Sequence, residues 1–284
     1  MKKILFISLI STITLFAKLN VAVSILPEKT FVEAIGGDKV HVTLMVKPGN
    51  SPHTYEPKPS QMIDITKAKL YFAIDVEFES VWLPKFQSIN PSMQIIDLDE
   101  GIEKMMMEEA EHEAHAQHTH EHHGEDPHIW TAPANVKIIA QHICETLKTN
   151  DPQNTAYYEH HLDLFLALVD ETDQKIVDIF STLKKPKTFM VLHPSWGYFA
   201  KAYGLRQVAV EIEGKEPKPK ELIHLLKEAK EEKVKAIFIQ PEFSDNAAKI
   251  IAKELQIPVM KVTPLAPDWS ENLINMATAI ATGE

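Results

Sequence analysis

Six of the chain's fourteen histidines, His112, His115, His118, His120, His122 and His123, fall in one twelve-residue run, HEAHAQHTHEHH. A neutral imidazole donates a nitrogen lone pair to borderline-soft divalent ions, so this run concentrates metal-binding groups. It has no hydrophobic pattern, and Glu108, Glu109, Glu111, Glu113, Glu121 and Glu125 are interleaved with it. It reads as a solvated insertion, 108–125, serving as an accessory weak metal loop, because each bound ion must order chain at roughly 1–2 kcal/mol per residue. Three other histidines have a different setting: His53 in PGNSPHTYEP, His128 in EDPHIW and His193 in VLHPSWGYF. Each follows or ends an apolar β-type run, and each stands beside a proline, Pro52, Pro127 or Pro194, which restricts the local backbone. Three imidazoles at a zinc ion leave a fourth tetrahedral position open. Their separations match no compact metal motif, so spacing alone identifies no site. A three-histidine zinc site could also belong to a hydrolase. His112-Glu113-Ala114-His115 is, however, one residue short of HExxH, and no nucleophile elbow appears.

The elements that must position these side chains alternate between two periods. LNVAVSIL, VHVTLMV, AKLYFAI and MQIIDL read as buried strands in the first half, and TFMVL, RQVAVEI, VKAIFI and PVMKV in the second. Helical stretches separate them, including PEKTFVEAIGG, VEFESVWLPKFQSI, PKELIHLLKEAKEEK and DNAAKIIAKELQ. Strand and helix in alternation predict an α/β chain of two parallel-sheet (βα)4-type domains. Between the halves Tyr158, Leu162, Phe165, Val169, Thr172, Ile176, Ile179 and Leu183 step by four and three, predicting one long backbone helix. Asp151 is its expected cap, Pro152 its first residue and Pro186 its stop. The expected division is an N-terminal domain over 18–150, the linker helix over 151–185 and a C-terminal domain over 186–284. In open parallel sheets ligands sit beyond the carboxyl ends of the strands, so the three histidines are expected to meet in the interdomain cleft.

Met1-Lys2-Lys3, the apolar ILFISLISTITLF and Ala17 follow the order of a secretory signal peptide, 1–17, too short to span a bilayer. Cleavage there predicts a periplasmic protein, and with no cysteine at the new N-terminus, one that is not lipid-anchored. Loss of Lys2 and Lys3 takes the formal net charge from −11 to −13, which argues against nucleic acid. The single Cys144 lies on the apolar face Val136, Ile139, Ala140, Ile143, Cys144, Leu147 and reads as a packed hydrophobe. Met105, Met106 and Met107, potential soft ligands, read as core and linker, and His41, His142, His160, His161 and His224 as surface or packed residues.

PGNSPHTYEPKPSQM, EDPHIWTAPANV and HPSWGYFAKAYGL resemble the metal-binding signatures of the cluster A-I (zinc and manganese) solute-binding proteins of ABC transporters. DPQNTAYYEHHLDLFLALVDETDQKI is similar to that family's backbone helix, and IFIQPEFSDNAAKIIAKELQIPVMKVTPLA to its closing strand, helix and strand, so the resemblance covers the whole mature chain. It implies metal ligands at His53, His128 and His193. Manganese-type members carry an aspartate where this chain has Pro264, and the lost oxygen ligand implies zinc. ZnuA-type members complete the site with water or a nearby glutamate, which makes Glu56 the candidate fourth ligand. Gln240 stands where the family often has glutamate, which implies a less anionic site. The resemblance implies a monomeric periplasmic receptor, not an enzyme, that hands zinc to an ABC permease driven by a cytoplasmic ATPase.

Overall fold

The computed structural model describes residues 18–107, 124–181, 183, 187–211 and 217–283. The expected signal peptide, 1–17, and the histidine run at 112–123 lie outside the described residues. Among those described, no helix is long and apolar enough to cross a membrane.

All eight expected strands form, each shorter than its apolar run: β1 (Leu19–Val23), β2 (Val40–Leu44), β3 (Leu70–Ala73), β4 (Gln94–Asp97), β5 (Thr188–Val191), β6 (Arg206–Ala209), β7 (Ile237–Ile239) and β8 (Val259–Lys261). They make two all-parallel sheets, ordered β2-β1-β3-β4 and β6-β5-β7-β8. The two orders correspond strand for strand, with the second strand of each half on one flank and the third and fourth on the other. The helices are α1 (Leu26–Gly36), α2 (Pro59–Ile65), α3 (Glu77–Ile89), α4 (Pro133–Asn150), α5 (Thr155–Ser181), α6 (Gly197–Ala202), α7 (Pro219–Glu231), α8 (Asn246–Leu255) and α9 (Trp269–Thr282). Parallel strands require such crossovers, and helices on both faces bury the strands on both sides.

Strand alternation divides the second sheet between two cores. Phe189 and Val191 of β5 join the large core built around the first sheet, α4, α5 and α9, while Met190 and Leu192 face the opposite layer with Leu225 of α7 and Ile251 of α8. Phe238 of β7 likewise points one way and Ile237 and Ile239 the other. One apolar interior therefore runs from the first sheet past α5 into the second.

The long helix is a little shorter than its periodicity predicts. Residues Pro152–Asn154 form a separate 3-10 turn before α5, so Pro152 is not the first α-helical residue. The Asp151 carboxylate accepts hydrogen bonds from Asn154 Nδ2 and the Tyr158 hydroxyl, both at 2.7 Å, and makes no cap bond to the backbone of that turn. The helix ends at Ser181, and Leu183 lies beyond it. Its 27 residues still span about 40 Å at 1.5 Å each. Tyr158, Phe165, Val169, Thr172 and Ile176 form the buried face, against α1, α4 and α9. Cys144 is fully buried, and burial pushes its thiol up to about 11.

Candidate metal centre

His193 follows β5 with only Leu192 between them; His128 leads into a 3-10 turn, Ile129–Thr131; His53 lies on the loop after β2. His128 and His193 are buried and His53 is part-buried. The fold brings them together: the His193 ring lies 5.1 Å from His53 and 5.4 Å from His128, centroid to centroid. Imidazoles bound through one nitrogen each to a tetrahedral zinc at roughly 2.0–2.1 Å would have centroids about 5 Å apart. Neighbouring rings thus stand at coordination spacing. Among the described residues, however, no three His, Cys, Asp or Glu side chains are arranged as a group that could hold a metal ion.

Each ring has a carboxylate on its Nδ1. His53 pairs with Glu77 at the start of α3, His128 with Asp126 at 2.7 Å and His193 with Glu211, just beyond β6, at 2.5 Å. A carboxylate accepting from Nδ1–H selects the tautomer whose lone pair is on Nε2 and raises its basicity. His193 Nε2 is buried with no hydrogen-bond partner, and a buried orphan of this kind requires a physical explanation.

The supports of these carboxylates are themselves fixed. Asp126 is almost wholly buried and accepts the His128 backbone N–H at 2.9 Å, while the Tyr198 hydroxyl donates to its carbonyl at 3.1 Å. Gly197 is required for close approach, because a Cβ there would lie 2.7 Å from Asp126 Oδ2. Trp130 Nε1 donates to the Pro264 carbonyl and Trp269 Nε1 to the Trp130 carbonyl, both at 2.8 Å, tying the His128 turn to the segment after β8. Gln240 braces the third histidine's loop: its Nε2 donates to the His193 carbonyl at 3.2 Å and to Ser195 Oγ at 2.6 Å, and its Oε1 accepts the His193 N–H at 3.4 Å. A glutamate there could not donate to that carbonyl. Three carboxylates contact the rings, and Gln240 itself contributes no charge.

Two hollows adjoin the rings. One, bordered by all three histidines, is walled by Trp130, Gln240, Glu242, Phe243 and Pro264, and Phe243 stacks on His193 at 4.8 Å and 20°. The other reaches His53 and His193 from the acidic side, among Asp75, Glu77, Glu125 and Glu211. Met107 and Gly124, which bracket the undescribed segment 108–123, border this second hollow, and Met106 and Glu125 form an antiparallel bridge beside them. Glu56 is exposed and borders neither hollow. Sequence reasoning missed Glu77, Asp126, Glu211 and Glu242. Asp126 was within sight in EDPHIW, and the signal for Glu77 and Glu211 was an acid just past a strand's carboxyl end.

Known proteins of the same shape bear on this arrangement. A solved crystal structure of ZnuA superposes with a TM-score of 0.85 at 39% identity, covering 93% of this chain and 98% of that one. The high-affinity zinc uptake system protein ZnuA of Bacillus subtilis (strain 168) is 31% identical over 243 residues, 84% of this chain and 76% of its own length. The zinc-binding lipoprotein AdcA of Streptococcus pneumoniae (strain ATCC BAA-255 / R6) is 26% identical over 255 residues; they are 87% of this chain but only 50% of AdcA, so the chain spans half of that relative. Fold and relatives together define the class, a solute-binding component of a metal uptake system and not an enzyme. Within that class the chain belongs to the ZnuA family, zinc-uptake complex component A, periplasmic, which it matches over residues 21–283.

Proposed function

We propose that this protein captures one zinc ion through Nε2 of His53, His128 and His193 and delivers it to the permease of an ABC importer driven by a cytoplasmic ATPase. The observation that carries the reading is the set of three Nδ1–carboxylate pairs, which leaves three Nε2 lone pairs beside a common hollow, one of them buried and unpartnered. Imidazole nitrogen suits zinc better than it suits calcium or magnesium. The Bacillus subtilis relative is a zinc uptake system protein, which supports the same cargo. The protein acts as a monomer in the periplasm, exported by its N-terminal signal. The histidine-rich segment collects zinc weakly and passes it inward; in support, its flanking residues Met107 and Gly124 border the acidic hollow that reaches His53 and His193.

Zinc counting by native mass spectrometry tests this on the mature wild type, on His193→Ala and on a deletion of residues 108–125. One tight ion is expected to survive the deletion and to be lost from His193→Ala. A His193→Ala protein with wild-type zinc affinity would remove the ion from this site.

A further inference from the structure

We infer that Glu242 supplies the fourth, oxygen ligand of the zinc site. This rests on the three-histidine reading above and adds to it. Beyond the end of β7 at Ile239, Gln240 and Glu242 are two residues apart, and both border the hollow shared by the three histidines. The same short segment carries Phe243, which stacks on His193 and lies 6.2 Å from the His53 ring, tilted to it, so the side chain next to Glu242 covers one ring and neighbours a second.

The other polar groups of that hollow are already committed. Glu77 is paired with His53, Gln240 holds the His193 loop, and the Pro264 carbonyl accepts from Trp130. Glu242 is the carboxylate of this wall, among the described residues, that no histidine engages. It is half-buried, and its support is a hydrogen bond with the Thr263 side chain, whose oxygen also accepts the Leu265 N–H at 3.1 Å. Burial raises its carboxyl above the ordinary range.

On binding, the ionised carboxylate exchanges its Thr263 hydrogen bond for a bond to zinc, completing a tetrahedron of three nitrogens and one oxygen. Four protein ligands close the ion's coordination, as in zinc sites that hold the metal; catalytic sites keep a position for water. Phe243, folded over His193, shields that closed set from water. On release the carboxylate returns to Thr263, so one side chain opens the site without moving a strand.

The test compares full-length mature wild type, Glu242→Gln, Glu242→Asp and His193→Ala by zinc affinity in chelator competition at one equivalent, and by the visible ligand-field spectrum of the cobalt(II) forms. Expected is a loss of at least roughly tenfold in zinc affinity for Glu242→Gln, with a changed cobalt spectrum, partial recovery in Glu242→Asp and an unchanged melting temperature without metal. If Glu242→Gln matches wild type in both readouts while His193→Ala loses zinc, the fourth position belongs to another donor and the histidine reading stands. Weakened affinity with an unaltered cobalt spectrum would also overturn the inference, since the carboxylate would then act only through its charge. If His193→Ala too keeps its zinc, the histidine reading falls and this inference with it.

Discussion

At the scale of single residues, the centre is a set of orientations imposed on imidazoles. Asp126, 1% exposed, meets both the backbone N–H and the Nδ1 of His128, so one carboxylate sets the position and the tautomer of that ring. Asp126→Asn keeps an acceptor but loses the charge that strengthens Nε2. Zinc affinity should fall by roughly 10- to 100-fold with the fold retained, as found for such supporting groups elsewhere; chelator competition measures it. Gly197→Ala tests the same support from behind. The added methyl would come within 2.7 Å of Asp126 Oδ2, so the carboxylate must shift and His128 with it. Zinc affinity is expected to drop although residue 197 touches no ring, and an unchanged dissociation constant would show that Asp126 has room to give.

At the scale of elements, the question is what holds segments from both halves in register around a site that neither half completes. His53 and His128 come from the first half and His193 from the second. The indole relay runs from Trp269 on α9 to Trp130 in the turn after His128, and from Trp130 to Pro264 after β8. Trp130→Phe preserves most of the buried ring and deletes the donor, leaving the Pro264 carbonyl unpaired, at a cost of about 1–3 kcal/mol. Both a lower melting temperature and weaker zinc binding are expected, because the lost bond joins the His128 turn to the far wall. A variant that is destabilised yet binds zinc as tightly as wild type would confine the relay to folding. The long helix contributes differently: its buried face enters the core shared by both sheets, so relative motion of the halves would have to disturb packed side chains.

For the whole molecule, the acid buried beneath the first sheet's carboxyl edge sets how stability depends on pH. Glu28 and Glu79 are buried together with Ser24 and Tyr71. Burial, with the neighbouring carboxylate, raises Glu28 well above the usual range, and burial pushes Glu79 up to about 7. A carboxyl whose folded-state pKa is raised binds more protons folded than unfolded, so its contribution is fully present below the unfolded value and lost as pH rises through the folded one. The melting temperature should therefore decline between about pH 4.5 and pH 7 through Glu79, with Glu28 extending the decline upward. Glu28→Gln can keep the hydrogen bonds from the Ser24 and Ile25 N–H groups to its oxygen while removing one ionisable group. Thermal melts across that range should be flatter for the variant, and parallel curves would place the dependence elsewhere.

Local pattern carried much of this into view. The period-two and period-four runs marked all eight strands and the long helix, because burial on two faces or along one stripe leaves its imprint on consecutive residues. The short helix α2 left no comparable trace, and the 3-10 turn over Pro152–Asn154 that delays the start of α5 was not marked by the helical period. His53, His128 and His193 stood out by residue type and by position after strands. Their partners did not: Glu77 and Glu211 lie 24 and 18 residues from the histidines they hold, and such pairs exist only once parallel strands bring their carboxyl ends side by side. For the same reason Glu56, close to His53 in the chain, stays at the surface, while Glu242, remote in the chain, borders the hollow. The sequence by itself determined which elements form and which side chains can ligate a metal, since both follow from local periodicity and residue chemistry. Only the tertiary structure decided which carboxylates face which rings, because that depends on strand order and crossover connections that no local pattern encodes.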